Sequence, residues 1–435
     1  MAINDDFETF VNNIQLDNYD TMATSVGEIA KKLNNYYYQL ESDSETHMYI
    51  VGSVGRGTAI KDVSDLDLIF NLPDDVFKQY DNYVSNGQSA LLQDVKNVLK
   101  ERYPKTDISG DGQVVVVNFS KYTVELVPGF KQEDDSFKYP DTHDGGSWKT
   151  TKPLKEIDES KKAIEDTDNN FKYIANMLRA WKNKQGFKFG GLLIDTLVYN
   201  FLNKNEQYKN IDFNEYFEMV KELFKYLKNQ NKDQAYWLAL GSNQHVDNCD
   251  NGKFVTKAKK AYNQMKNLNE DSEDLNKELR KIFGSQFPKE QTTCKSTNEL
   301  AEYSFNRTEQ FIEDLFPVDI RYNLSIDCKV TQNGFKDKLL SDIIKSNLWL
   351  SRNKSLNFFI DKTDIRGNYD VYWKVRNVGV EAEKRNMIRG QINKTNSKKH
   401  YEKTDFKGEH YVECYLVKNN ICVAKAKIEV PIASI

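Results

Sequence analysis

The sequence predicts an α+β chain in three parts: a mixed core, a helical lobe and a mostly β C-terminal domain. Three observations carry this reading. Two short apolar strands flank a glycine-studded turn between residues 48 and 70. Apolar residues recur at three- to four-residue spacing from about 160 to 316. Apolar–polar alternation, closing in a hairpin, marks the last hundred or so residues.

Residues 20–42 place apolar side chains at helical spacing behind Thr21, a residue suited to capping. Met48-Tyr49-Ile50-Val51 reads as a strand and runs into Gly52-Ser53-Val54-Gly55-Arg56-Gly57-Thr58. Leu66 to Phe70 is the second strand, and residues 86–103, with Leu91, Leu92, Val95, Val98 and Leu99, form a helix. Val114–Val117 and Tyr122–Val127 follow as strands, the latter expected to stop at Pro128-Gly129 because proline cannot donate to a ladder. In the lobe, Phe171, Ile174, Leu178 and Trp181 share one helical face, and Phe213, Phe217, Val220, Phe224 and Leu227 share another. Lys266 to Glu278 is polar and reads as a linker or a solvated helix face. Tyr369–Val375 and His410–Val417 alternate, and Asn419-Asn420 turns the chain into Ile421–Ala424. The expected domains are 1–165, 166–321 and 322–435, with no internal repeat.

The chain has 435 residues, 39% hydrophobic and 12% aromatic, enough to build cores. No apolar run approaches the ~18–20 residues of a membrane span. The acidic start, Asn4-Asp5-Asp6, lacks the basic region of a secretory signal, so a cytoplasmic location is expected. Five cysteines without CxxC and five scattered histidines without HExxH predict neither a disulfide framework nor a zinc site. Cys414 and Cys422 can face one another across the hairpin and are expected as reduced thiols. A net charge of −4 argues against a uniformly basic nucleic-acid coat. That value hides a split: residues 322–435 hold 21 Lys+Arg against 13 Asp+Glu, net +8, and the rest hold 40 against 52, net −12.

Chemistry concentrates at Gly52-Ser53 and Asp65-Leu66-Asp67. Alternate strand residues share a face, so Asp65 and Asp67 point one way while Leu66, Leu68 and Phe70 are buried on the other. Two carboxylates one strand-step apart repel unless a cation lies between them. Mg²⁺ suits such a pair, since it takes oxygen ligands together with water and phosphate. A glycine turn offers N–H groups to a phosphate. Glu125, in Thr123-Val124-Glu125-Leu126, is the candidate third carboxylate, far in sequence but suited to a neighbouring strand. Such a set serves two-metal phosphoryl transfer, with Glu125 helping to remove the acceptor's proton. Trp148 and Tyr139 are candidates for stacking on bases, although such aromatics more often belong to cores. In the last domain Trp373 reads as a core anchor. Arg389, with His410, is the better candidate for a ligand pocket, and Lys384-Arg385, Arg389 and Lys398-Lys399 form a basic cluster.

Gly52-Ser53 with Gly57-Thr58, Asp65-x-Asp67 and Glu125-Leu126-Val127-Pro128-Gly129-Phe130 resemble the DNA polymerase β-like nucleotidyltransferases. Gly145-Gly146-Ser147-Trp148, Arg179-Ala180-Trp181-Lys182 and Ile282-Phe283-Gly284-Ser285-Gln286-Phe287-Pro288 extend the likeness to the oligoadenylate synthase and cyclic GMP-AMP synthase branch, specifically the bacterial CD-NTases. Trp373 to Gly379, Ile388-Arg389-Gly390 and Gly408 to Tyr415 are similar to the AGS-C sensor domain.

The resemblance implies two Mg²⁺ ions, with Mn²⁺ an alternative, and ATP or another nucleoside triphosphate as substrate. It implies a cyclic di- or trinucleotide or oligonucleotide signal in bacterial anti-phage defence, a downstream effector protein and a nucleotide ligand for the C-terminal domain. Carried across, Gly52 and Ser53 hold the donor triphosphate, Asp65 and Asp67 bind both metals, and Glu125 binds the catalytic one. Arg56, Arg179 and Lys182 are nucleotide-binding candidates. Glu125 stands where the family usually has Asp, Arg179 where it often has Lys, and Gly191 where a Ser is common. Two alternatives stand beside this reading: a synthase of linear oligomers, primed on a protein hydroxyl such as tyrosine, and a catalytically silent nucleotide sensor.

Overall fold

The computed structural model describes residues 3–61, 63–289, 309–332, 336–377, 380–384, 389–405 and 409–433. Gly379, Arg385, Ile388 and Gly408, named above, lie outside them, as does Cys294, one of the five cysteines. The chain divides into two compact units, Met1–Gln185 with Phe189–Glu290, and Gly186–Lys188 with Gln291–Ile435.

The first unit opens with helices α1 (Ile3–Asn13) and α2 (Tyr19–Tyr38). Strand β1 (Met48–Ile50), a single helical turn α3 (Gly52–Gly55), strand β2 (Asp65–Asn71) and helices α4 (Asp74–Asp81) and α5 (Gly87–Arg102) follow. Strands β3 (Asp107–Asp111), β4 (Val114–Asn118), β5 (Thr123–Lys131), β6 (Phe137–Asp141) and β7 (Ser147–Thr151) complete a sheet of order β1-β2-β5-β4-β3, with β6 joined to β5 and β7. Leu66, Leu68, Phe70, Val124 and Leu126 are buried on one sheet face against Met22, Ile29 and Leu33 of α2 and Leu91, Val95 and Leu99 of α5. The opposite face carries the acids.

Strand β5 does not stop at Pro128, as expected, but continues to Lys131. Strand β4 pairs with β5 only as far as Leu126, and β6 begins pairing at Phe130. The N–H that Pro128 lacks therefore falls between two partners, while β2 pairs with it on the other side. Strands β3, β6 and β7 are absent from the sequence reading because Ser109-Gly110 and the Lys138–Asp141 and Lys149–Thr151 stretches lack an apolar alternation.

The helical part comprises α6 (Pro153–Asp166), α7 (Asn170–Gln185), α8 (Gly191–Lys204), α9 (Tyr216–Lys228), α10 (Lys253–Met265) and α11 (Leu275–Phe283). Trp181 is fully buried and meets Phe224 edge-on at 5.0 Å. A hairpin, β8 (Tyr236–Leu238) with β9 (His245–Asp247), interrupts the expected run of helices. The polar stretch Lys266–Glu278 is a turn followed by the start of α11. Helix α1 packs on this part through Phe7 against Phe287 and Phe10 against Phe283.

In the second unit, strands β10 (Leu324–Thr331), β11 (Lys338–Leu339), β12 (Ser355–Thr363), β13 (Asp370–Arg376), β14 (Ile392–Lys394), β15 (Lys399–Lys403), β16 (Glu409–Lys418) and β17 (Ile421–Pro431) form two four-stranded sheets. Their orders are β11-β10-β12-β15 and β14-β13-β16-β17. Cys328 and Phe358 of one sheet share a core with Trp373, Val412 and Cys414 of the other. Trp373 is the anchor expected, 1% exposed, with its indole N–H donating to the Ser397 carbonyl at 2.9 Å. Cys414 and Cys422 do not face one another: Cys414 lies opposite Ala426 and Cys422 opposite Val417. Both are buried free thiols, and burial pushes Cys422 up to about 12.

Candidate active site

Strands β2 and β5 run parallel in a register that sets Asp67 beside Glu125 and Asp65 beside Thr123. Residues in register on adjacent strands project to the same face, about 4.8 Å apart. Asp65, Asp67 and Glu125, separated by up to 60 positions in sequence, thus share one sheet face, each half-buried. Among the described residues, no three His, Cys, Asp or Glu side chains form a ready-made metal cage. Mg²⁺ does not require one, because water and substrate phosphate complete its shell. An all-oxygen donor set on a half-buried face fits that ion.

The glycine turn is folded as α3 and lies directly on these acids. Val51 N–H donates to the Asp67 carbonyl at 2.9 Å. Gly52 has φ +62°, and a Cβ placed there would stand 1.8 Å from Asp67 Oδ2. The Ser53 carbonyl accepts from Thr58 and Ala59 N–H at 2.9 and 3.1 Å, closing the loop on itself. Main chain and carboxylate can approach this closely only without a side chain at position 52. Gly52→Ala is expected to destabilise the fold by about 1–2 kcal/mol through its left-handed backbone. It is also expected to lower turnover about 100-fold by displacing Asp67, as followed by pyrophosphate release beside a thermal melt.

Arg56 and Arg179, both about 5% exposed, converge on Asp195, which is fully buried on α8. Asp195 Oδ2 accepts from Arg56 Nε at 2.8 Å, Thr58 Oγ1 at 2.9 Å and Arg179 Nη2 at 2.9 Å, and Oδ1 accepts from Arg179 Nη1 at 2.7 Å. Burial alone would raise this carboxyl. The charges of Arg179 and then Arg56 outweigh it and hold Asp195 below the ordinary range. Glu156, 3.8 Å from Arg56, moves the other way: its burial dominates and raises it. Asn176 Nδ2 donates to the Thr58 and Ala59 carbonyls, and Ser160 Oγ donates to the Arg56 carbonyl. Asp195 thereby ties Arg56 and Thr58 to Arg179 of α7. The guanidinium Nη2 ends lie 3.3 Å (Arg179) and 3.8 Å (Arg56) from a Cβ built at Gly191. Lys182 lies one turn beyond Arg179 on α7.

Sequence reading missed Asp195. Its signal is present: a lone acid within Leu192-Leu193-Ile194-Asp195-Thr196-Leu197-Val198 must meet a buried cation. Trp148 is an edge of the core rather than an open stacking surface. It packs on Phe77 at 5.0 Å and Phe130 at 5.7 Å, and its N–H donates to Asp81. Tyr139 is half-buried, opposite Lys149 on β7. In the second unit Arg389 and His410 line a cleft, with Arg389 paired to both Glu402 oxygens at 2.8 and 3.0 Å. Trp373 is not part of its lining.

Residues 1–163 match the Second Messenger Oligonucleotide or Dinucleotide Synthetase domain, and residues 306–433 match the Adenylyl/Guanylyl and SMODS C-terminal sensor domain. The chain is a CD-NTase fused to an AGS-C sensor domain. Two solved structures of CdnC from E. coli MS115-1 share its fold. One, a CdnC:HORMA-deltaN complex, is 17% identical, with a TM-score of 0.51, covering 66% of this chain and 98% of that one. The other, CdnC with ATP, is 18% identical, with a TM-score of 0.50, covering 66% and 99%. No curated protein sequence matches significantly. The CD-NTase core has the polymerase β-like fold expected from its motifs, and the sensor domain is the sheet-rich module. The chain is thereby a nucleotidyltransferase of the second-messenger synthetase class. Among the described residues, no helix is long and apolar enough to cross a membrane.

Proposed function

We propose that this CD-NTase condenses nucleoside triphosphates, ATP or another, into a cyclic di- or trinucleotide or short oligonucleotide signal, with release of pyrophosphate, in bacterial anti-phage defence. Residues 1–165 and 166–321 supply the synthetase, and 322–435 the sensor. The observation that carries this reading is the β2–β5 register, which brings Glu125 beside Asp67. Asp65, Asp67 and Glu125 would hold two Mg²⁺ ions, or Mn²⁺. When bound, the metal neutralises triphosphate charge and makes the acceptor hydroxyl more acidic. Ser53 and the N–H groups of its turn orient the donor triphosphate. Arg56, Arg179 and Lys182 add positive charge around it. Glu125 receives the proton of a 2′- or 3′-hydroxyl as that oxygen attacks the α-phosphate and pyrophosphate leaves. ATP in the CdnC structure agrees with this substrate class. The product acts on an effector protein in the cytoplasm.

Incubation with each triphosphate and Mg²⁺ or Mn²⁺, followed by mass spectrometry and phosphatase digestion, tests the product. A phosphatase-resistant cyclic nucleotide is expected. A phosphatase-sensitive ladder would favour the linear synthase, and a mass increment on the protein would show priming. Nucleotide binding without any product would favour the silent sensor.

A further inference from the structure

Among the described residues, fourteen large apolar side chains are exposed, and eight of them gather in two places, one in each unit. Apolar side chains scattered singly are ordinary on a protein surface, whereas gathered ones mark contacts. In the first unit they are Tyr36 near the end of α2, Leu40 just beyond it, and Tyr83 and Val84 in the loop between α4 and α5. These segments are neighbours. Tyr36 meets Tyr37 edge-on at 4.8 Å, the Tyr37 hydroxyl donates to Asp94 Oδ2 at 2.8 Å, and the same carboxylate faces the Tyr80 hydroxyl. Tyr83 in turn lies against Tyr80, ring centres 5.5 Å apart. Tyr83 is 50% exposed and Val84 fully so. Residues 36–45 and 74–94 together hold seven acids against one lysine, net −6.

In the second unit a short helix, α12 (Leu340–Lys345), turns Leu340 and Ile343 into the core and leaves Ile344 outside. Leu348 N–H donates to the Ile343 carbonyl at 3.0 Å, which folds the chain back at the helix end. Ile344 to Trp349 are exposed without a break. Leu339, Ile344, Leu348 and Trp349 are the other four apolar side chains, and Trp349 is 67% exposed. Residues 336–354 hold five Lys or Arg against two Asp, net +3. Tryptophan and tyrosine are the side chains that most often carry the energy of a protein contact.

The two patches are alike in apolar character and opposite in charge. Contact of either patch with its own counterpart on a second copy would set like charges face to face, which disfavours association. Contact of one patch with the other buries both and brings opposite charges together. We propose that the chain associates with itself head to tail, the Tyr36–Tyr83 patch of one copy receiving the Trp349 patch of the next. Such a contact is heterologous. Each copy keeps one patch of each kind for a further neighbour, so the assembly closes as a ring or continues as an open chain.

Sedimentation velocity on the full chain tests this, at concentrations up to ~100 μM and in salt of about 0.1 M and about 1 M. The wild type is expected to gain mass with concentration, and to associate about tenfold more weakly at the higher salt, where the screening length falls from ~10 Å to ~3 Å. Tyr83→Ser and Trp349→Ser, both at exposed positions, should each raise the dissociation constant at least about tenfold and melt like the wild type. Should either melt lower, Val84→Ser or Leu348→Ser takes its place. An equal mixture of the two variants gives the distinguishing result. The Trp349→Ser copy keeps its tyrosine patch and the Tyr83→Ser copy its tryptophan patch, so the mixture should form a dimer of one copy each and stop there. A wild type that stays monomeric throughout, or associates as strongly in about 1 M salt, would overturn the proposal. So would association lost in only one of the two variants, which marks a patch meeting its own copy, or lost in neither.

Discussion

Asp67→Asn is expected to abolish pyrophosphate release while leaving the protein folded. Asp67 carries a half-buried carboxylate that shares its face with Asp65 and, in direct register, with Glu125. Three acids on one face repel one another, so removing one charge should leave the melting temperature unchanged or slightly raised. Removing one preorganised electrostatic stabiliser costs about 10²–10³ in rate, and a shared metal ligand should sit at or beyond the upper end. Asp65→Asn should behave in the same way. A variant that melts like the wild type yet does not turn over would separate chemistry from folding. Full activity in either variant would remove these acids from the site.

The second large effect is on stability. Asp195→Asn should destabilise the first unit by about 3–5 kcal/mol, because it leaves two buried guanidiniums without their anion. Denaturant unfolding at neutral pH measures this directly. Coupling should appear in a double-mutant cycle with Arg179→Met, where the pair costs less than the sum of its parts by about 0.5–3 kcal/mol. The pH dependence carries a sign. Asp195 is held below the ordinary carboxyl range in the folded state, so its contribution is complete above about pH 4 and is lost as pH falls through the folded value. Asp195→Asn should therefore flatten the acid limb of the stability curve. Additive costs and an unchanged acid limb would show that Asp195 does not brace the turn.

The sequence and the structure meet most closely where chemistry constrains residue type. Asp65-x-Asp67 and Gly52-Ser53 stand on the strand and turn expected, because alternation and glycine are local signals. The pairing of Glu125 with Asp67 is a matter of register between strands, which a one-dimensional pattern suggests only through the apolar run around it. Arg56 and Arg179 stand in the sequence as nucleotide-binding candidates, and nothing near either of them shows that they also share Asp195. Asp195 lies 139 residues beyond Arg56, and only the packing of α8 joins them. Pro128 misled, since whether its missing N–H matters depends on which neighbour lies beside it. In the C-terminal domain the alternation of Trp373-Lys374-Val375-Arg376 correctly divides core from outer face. It gives no hint that Glu309, 65 residues upstream of Lys374, covers the outer side.

The most direct measurement is pyrophosphate release by the wild-type chain supplied with the four nucleoside triphosphates, in Mg²⁺ or Mn²⁺ and again in excess EDTA. The account predicts release with the metal, one pyrophosphate for each internucleotide bond found in the product, and none in EDTA or in Asp67→Asn. Release that persists in EDTA, or that is equal in Asp67→Asn, would contradict it.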